Sequence, residues 1–144
     1  MINTVAVGTD GSDTATKAVE AALDLAERFG AKLVLLSAYT PVSGGRLRQE
    51  QREAPEDVQW QISPREDVDA DFAEVGKLAD ARGVEWTSSA GEGDAAEVLV
   101  DLAARAEADV LVVGNKGMQR RLLGSVPNTV AHHAGCSVFI VKTT

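Results

Sequence analysis

Five short apolar runs alternate with stretches whose apolar residues recur at helical spacing, and few folds accept that rhythm. The runs are Thr4 to Gly8, Lys32 to Tyr39, Val84 to Ala90, Asp109 to Val113 and Ser137 to Lys142. Short runs that are apolar on both faces suit the buried strands of a parallel sheet. Between the first two, Ala15, Ala18, Val19, Ala22, Leu23, Ala26 and Phe29 line one face of a helix. Val68, Phe72, Val75 and Ala79 do the same between Asp67 and Arg82, and so do Ala95, Val98, Leu99, Leu102, Ala103 and Ala106 further on. A last helix is predicted from Ser125 to Ala134. Gly30, Gly83 and Gly135 stand where these elements should stop. Ser12 and the Asp94/Glu97 pair carry starting signals, and Ser125 offers a capping hydroxyl just before Pro127.

Strands that alternate with helices in this way make an α/β domain with a parallel sheet. Because crossovers are right-handed, the first three strands step outward and the fourth returns beside the first. The expected architecture is a doubly wound five-stranded parallel sheet of order 3-2-1-4-5, a Rossmann-like or flavodoxin-like three-layer sandwich. With 144 residues and 44% hydrophobic content, one domain spanning 1–144 can bury a core. Pro41 to Pro64 breaks the rhythm: it holds Gly44-Gly45, three arginines and Trp60 without apolar periodicity. Its 24 residues form a long connection, expected to be a flexible or partly helical flap.

In such a sheet, ligands bind outside the carboxyl ends of the strands at the reversal of strand order. Here those are the first and fourth strands, trailed by Gly8 to Ser12 and by Gly114 to Gly124. The second strand contributes Ser37, Ala38 and Tyr39 at one side. The stretch Gly114 to Asn128 reads GNKGMQRRLLGSVPN: a strand end, a glycine-bearing basic loop and a helix start. Backbone N–H groups and the helix dipole make that combination an anion site, with phosphate the natural guest. Charge is distributed accordingly. All 22 acidic residues precede Val110, beside 10 of the 14 Lys and Arg; from Val110 onward there is no acid and four basic residues.

Other chemistries are less well supported. The net charge of −8 argues against nucleic acid as a partner. No apolar run approaches the roughly 20 residues that span a bilayer. The opening MINT lacks the basic region of a secretion signal, so the expected location is cytoplasmic, as a single Cys136 also fits. Cys136 is expected to be buried and inert. Gly91-Glu92-Gly93-Asp94-Ala95-Ala96 fits a loose dinucleotide pattern, but it follows an edge strand, and Glu92 and Asp94 would repel a pyrophosphate. No Walker A loop is present. Asp10 and Lys142 imitate part of a phosphoacceptor receiver domain, yet Ser89-Ala90-Gly91 stands where its aspartate is needed. His132 and His133 suit the end of a helix better than a metal. Asp10 itself could bind magnesium together with phosphates, bond a nucleoside, or cap the helix that follows. No nucleophile–base arrangement emerges, and the residues make no independent case for catalysis.

The spacing of Gly114, Gly117, Gly124 and Ser125 resembles the nucleotide loop of the universal stress protein family. The likeness extends over essentially the whole chain, through the opening VAVGTDGS, the long second connection and the closing GSVPN helix and IVK strand. The family loop is usually written G-x2-G-x9-G-[ST]; here six residues, Met118 to Leu123, separate Gly117 from Gly124. The resemblance implies binding of ATP or another adenine nucleotide such as AMP or cyclic AMP, with magnesium possible, and a role as a stress-response sensor or regulator. It places Gly8, Thr9 and Asp10 on the nucleoside side and Ala38 at the base. Val113, Gly114 and Gly117 fall near ribose and phosphates, with Gly124, Ser125 and Val126 on phosphate. It also implies a homodimer through the fifth strand, whose apolar run Val138 to Val141 lies on a predicted edge. Two other readings stand beside it: a non-nucleotide interaction module that uses the dimer and the Pro41–Pro64 flap, and a slow ATPase with Asp10 and a metal as its chemistry.

Overall fold

In the computed structural model, which describes residues 1–10, 13–40, 63–115 and 124–143, five strands lie parallel in the order 3-2-1-4-5. They are β1 (Thr4–Gly8), β2 (Lys32–Thr40), β3 (Trp86–Glu92), β4 (Val110–Gly114) and β5 (Ser137–Val141). The helices are α1 (Asp13–Phe29), α2 (Arg65–Ala81), α3 (Ala95–Arg105) and α4 (Ser125–His133). Two further residues, Ser63–Pro64, pair in parallel with Tyr39 and Thr40 at the carboxyl end of β2. The long connection at 41–62, and with it Arg46, Arg48, Arg52 and Trp60, lies outside the described residues. So do Ser12 and Gly117.

β1 is central because its side chains can be buried on both faces, and Val5, Ala6 and Val7 are each 0% exposed. Alternate residues then serve two cores. Val5, Val7, Leu33, Leu35 and Val112 meet α1 and α2 on one face. Ala6, Val34, Leu36, Leu111 and Val113 meet α3 and α4 on the other. The helices divide two and two, as right-handed crossovers require when the strand order reverses once.

The strand order and helix sequence agree with the expectation; several boundaries do not. β3 begins at Trp86, not Val84. The Val84 N–H donates to the Ala79 carbonyl at the end of α2, so that residue closes a turn instead of joining the ladder. β3 also exposes Thr87 and Ser88, as an edge strand can. Gly30 and Gly83 end α1 and α2 at φ +63° and +68°, a conformation that glycine adopts without steric cost. Asp94 caps α3, its carboxylate accepting the Glu97 N–H at 3.1 Å. Ser125 is not the cap of α4. The Asn128 N–H bonds to the Gly124 carbonyl, which makes Gly124 the cap and Ser125 the first helical residue. Cys136 is half-buried, not fully so, and burial raises its thiol pKa.

Packing explains two glycines that periodicity does not. Gly76 lies in the middle of α2, where glycine costs about 1 kcal/mol relative to alanine. The Trp86 indole occupies the space a Cβ would take, and its Nε1–H donates to Asp80 at 3.0 Å. Gly8 similarly yields to α3, since a Cβ there would stand 2.8 Å from a Leu99 methyl.

Candidate functional site

Register levels the carboxyl ends of the central strands. Gly8 pairs with Leu36 and Val7 with Val112, so Thr9 and Asp10 leave β1 alongside Ala38 on one side and the Val113–Gly114 end of β4 on the other. Thr9 is fixed by its N–H bond to the Leu36 carbonyl at 2.9 Å. Thr9, Asp10, Ser37 and Ala38 are all buried. Polar side chains at a strand terminus are rarely buried without a structural or binding purpose, because desolvation costs free energy unless partners replace water.

Across the reversal, β4 ends at Gly114 and the chain re-enters the described structure at Gly124, the cap of α4. Glycine has no side chain to bond the first-turn N–H groups, and no side-chain cap is made. Pro127 has no N–H at all, so Ser125 and Val126 carry the donors of that turn. An anion fits there electrostatically. The structure therefore gathers Gly8, Thr9, Asp10, Ala38, Val113, Gly114, Gly124, Ser125 and Val126 at one edge of the sheet. Gly117, Lys116, Arg120 and Arg121 lie outside the described residues.

Three residues belong to this edge that sequence reading did not single out. Asp71, on α2, is half-buried; desolvation raises its carboxyl pKa, and the nearby charges of Asp67 and Asp10 raise it further. Asp71 is thus within electrostatic reach of Asp10. A cleft of about 460 Å³, lined by Thr9, Thr16, Asp71 and Leu78 among others, opens between α1 and α2 beside them. The i, i+4 spacing of Asp67 and Asp71 was visible in the sequence, but only the fold brings Asp71 near Asp10. Asn115 and Thr143 are the others, 1% and 3% exposed. They bond to each other where β4 and β5 end. Their positions, one after a strand and one near the chain end, carry no local signal.

Gly114 also has a close internal neighbour. A Cβ at that position would lie 3.1 Å from the Thr143 methyl, a tight contact that asks the neighbour to shift by a few tenths of an ångström. Among the described residues no group of three His, Cys, Asp or Glu side chains could hold a metal ion. No described helix is long and apolar enough to cross a membrane.

Comparison with known proteins agrees with this fold. The profile of the Universal stress protein family matches residues 1–142. The universal stress protein Rv1636 of Mycobacterium tuberculosis is 38% identical over 149 aligned positions, covering 98% of this chain and 97% of its own. A universal stress protein crystallised in complex with cAMP is 36% identical, with a TM-score of 0.76 and 99% of each chain covered. An Arabidopsis thaliana family protein with AMP bound shares the fold at a TM-score of 0.69 and 20% identity, over 97% of this chain and 91% of its own.

Proposed function

The chain belongs to the universal stress protein family, and from that premise we propose that it binds ATP or a related adenine nucleotide, such as cyclic AMP or AMP, as a stress-response sensor or regulator in the cytoplasm. The observation that carries this reading is the α4 N-terminus without a side-chain cap, at the same carboxyl edge of the sheet as the buried Thr9 and Asp10, where the strand order reverses. One side offers N–H donors to phosphate; the other offers a buried hydroxyl and carboxylate to a nucleoside. Full-length similarity to a protein crystallised with cAMP supports the same class of ligand.

The charge distribution of the sequence gives the ligand a direction: phosphates are drawn to the β4–α4 side, since the chain carries no acid from Val110 onward. Magnesium fits this site only together with a polyphosphate. Asp10 would supply a carboxylate and the nucleotide most other ligands, as is usual for that ion.

The homodimer is proposed to form through β5, whose inner edge pairs with β4 and whose outer edge pairs with no described strand. Phe139 is 45% exposed there, flanked by half-buried Val138, Ile140 and Val141. Two copies related by a two-fold axis can pair such edges and cover those side chains.

Isothermal titration calorimetry with ATP, cyclic AMP and AMP, with and without magnesium, tests the assignment. The expected result is saturable binding at or below the micromolar range for at least one of them, weakened at least tenfold by Gly117→Ala. Absence of any binding below millimolar concentration would sink the nucleotide reading. Asp10→Asn is expected to remove magnesium enhancement of ATP binding, and any slow ATP turnover with it.

A further inference from the structure

Val75 packs at the margin of the core, and one turn further along α2 Leu78 is 46% exposed. Opposite them α1 presents Thr16 and the buried Val19. Between the two helices lies the cleft of about 460 Å³, which Thr9 also lines at the end of β1. Sites for small molecules have such volumes, and they are mostly apolar with a few polar groups that orient the guest. One charge dominates this lining. Asp71 shares a helix face with Val75 and Leu78, four and seven residues on. Glu74 and Lys77, also on the cleft, pair with each other at 3.7 Å and cancel. Asp71 makes no hydrogen bond or ion pair among the described residues, and the charges of Asp67 and Asp10 only add to its own. Half-buried and desolvated, its carboxylate lacks the counter-charge that would replace water.

We propose that the α1–α2 cleft binds a small organic cation, a primary amine with an apolar body, its ammonium on Asp71 and its body against Val19, Val75 and Leu78. Charge complementarity sets the occupant. An anion would meet Asp71 with like charge, and a neutral guest would leave that carboxylate without a counter-charge. A bare metal ion would gain nothing from the apolar wall, and no group of three ligating side chains stands among the described residues. The cleft shares Thr9 with the nucleotide edge but not the α4 N-terminus, so it binds its amine whether or not a nucleotide is bound.

The test is an amide NMR titration of the isotope-labelled full chain at neutral pH with n-hexylamine, its uncharged isostere n-hexanol, and methylamine. Hexylamine is expected to shift the Thr16, Asp71, Val75 and Leu78 signals saturably, at roughly millimolar concentration for so small a ligand. Hexanol lacks the charge and methylamine lacks the apolar body; each is expected to bind at least about tenfold more weakly. Asp71→Asn is expected to weaken hexylamine about tenfold and to leave hexanol within about twofold. Leu78→Lys, at an exposed position, is expected to abolish hexylamine binding. Absence of saturable shifts at these residues, or hexanol binding as tightly as hexylamine, would overturn the proposal. So would unchanged hexylamine affinity in D71N, which would mean that the amine answers only to the net acidity of the chain. Should the D71N spectrum show an unfolded chain, L78K decides alone, and unchanged hexylamine binding there overturns the proposal.

Discussion

Glu107 follows α3 with φ +54°, the only described non-glycine residue with positive φ. Its N–H bonds to the Ala104 carbonyl, and the next N–H, of Ala108, reaches back to Ala103. That closure needs a left-handed residue, at a cost of roughly 1–2 kcal/mol for any side chain, against glycine's own entropic cost of about 0.5–1 kcal/mol. Glu107→Gly is expected to stabilise the protein by about 0.5–1 kcal/mol in urea unfolding; a loss of stability would show that the side chain makes a contact of value. The contrast with Gly8 and Gly114 is instructive. At both, the backbone is unremarkable and the need is for room, Leu99 against one and Thr143 against the other. Glycines read in the sequence as ligand contacts thus have structural reasons as well. That is legible only once α3 and the chain end are packed in place.

At the level of whole elements, the amino ends of β1 and β4 are joined by one side chain. The Asp109 carboxylate accepts the N–H groups of Asn3 at 2.8 Å and Thr4 at 3.0 Å, while its own N–H bonds to the Thr4 carbonyl at 2.9 Å. Those backbone bonds lower its pKa below the ordinary 3.8. A carboxylate with a depressed folded-state pKa contributes stability above its unfolded value and loses it as pH falls through the folded one. Asp109→Ala is therefore expected to lower the melting temperature at pH 7 and to leave it close to wild type at pH 2. A deficit of the same size at both pH values would show that the charged clamp contributes nothing. Helix faces, the Asp94 cap and the stops at Gly30 and Gly83 were legible from periodicity and local chemistry. The start of β3 and the cap of α4 were not. Each was decided by one backbone bond, Val84 to Ala79 and Asn128 to Gly124, that competes with the nearby strand or cap signal.

Over the whole molecule, the alternation of apolar runs and helical stripes contained the sheet order, because handedness leaves few topologies open. The switch-point edge followed from it, but the nearness of Asp71 to Asp10 did not, since the two lie on elements far apart in sequence. The exposed edge of β5 makes a prediction at this scale. Phe139→Lys is expected to convert a dimer to a monomer in sedimentation analysis without changing the far-ultraviolet circular dichroism spectrum; an unchanged dimer would move the interface elsewhere. The central position of β1 has a further effect, on the time course of synthesis. Its partner β4 lies about a hundred residues downstream, as the Asn3–Asp109 separation of 106 shows. At the usual 5–20 residues per second, β1 waits roughly 5–20 s on the ribosome for one of its two neighbours. Until then one edge of a strand buried on both faces is unpaired. The nascent chain is most exposed to chaperones and to misassembly in that interval, which closes when Asp109 emerges and takes hold of Asn3 and Thr4.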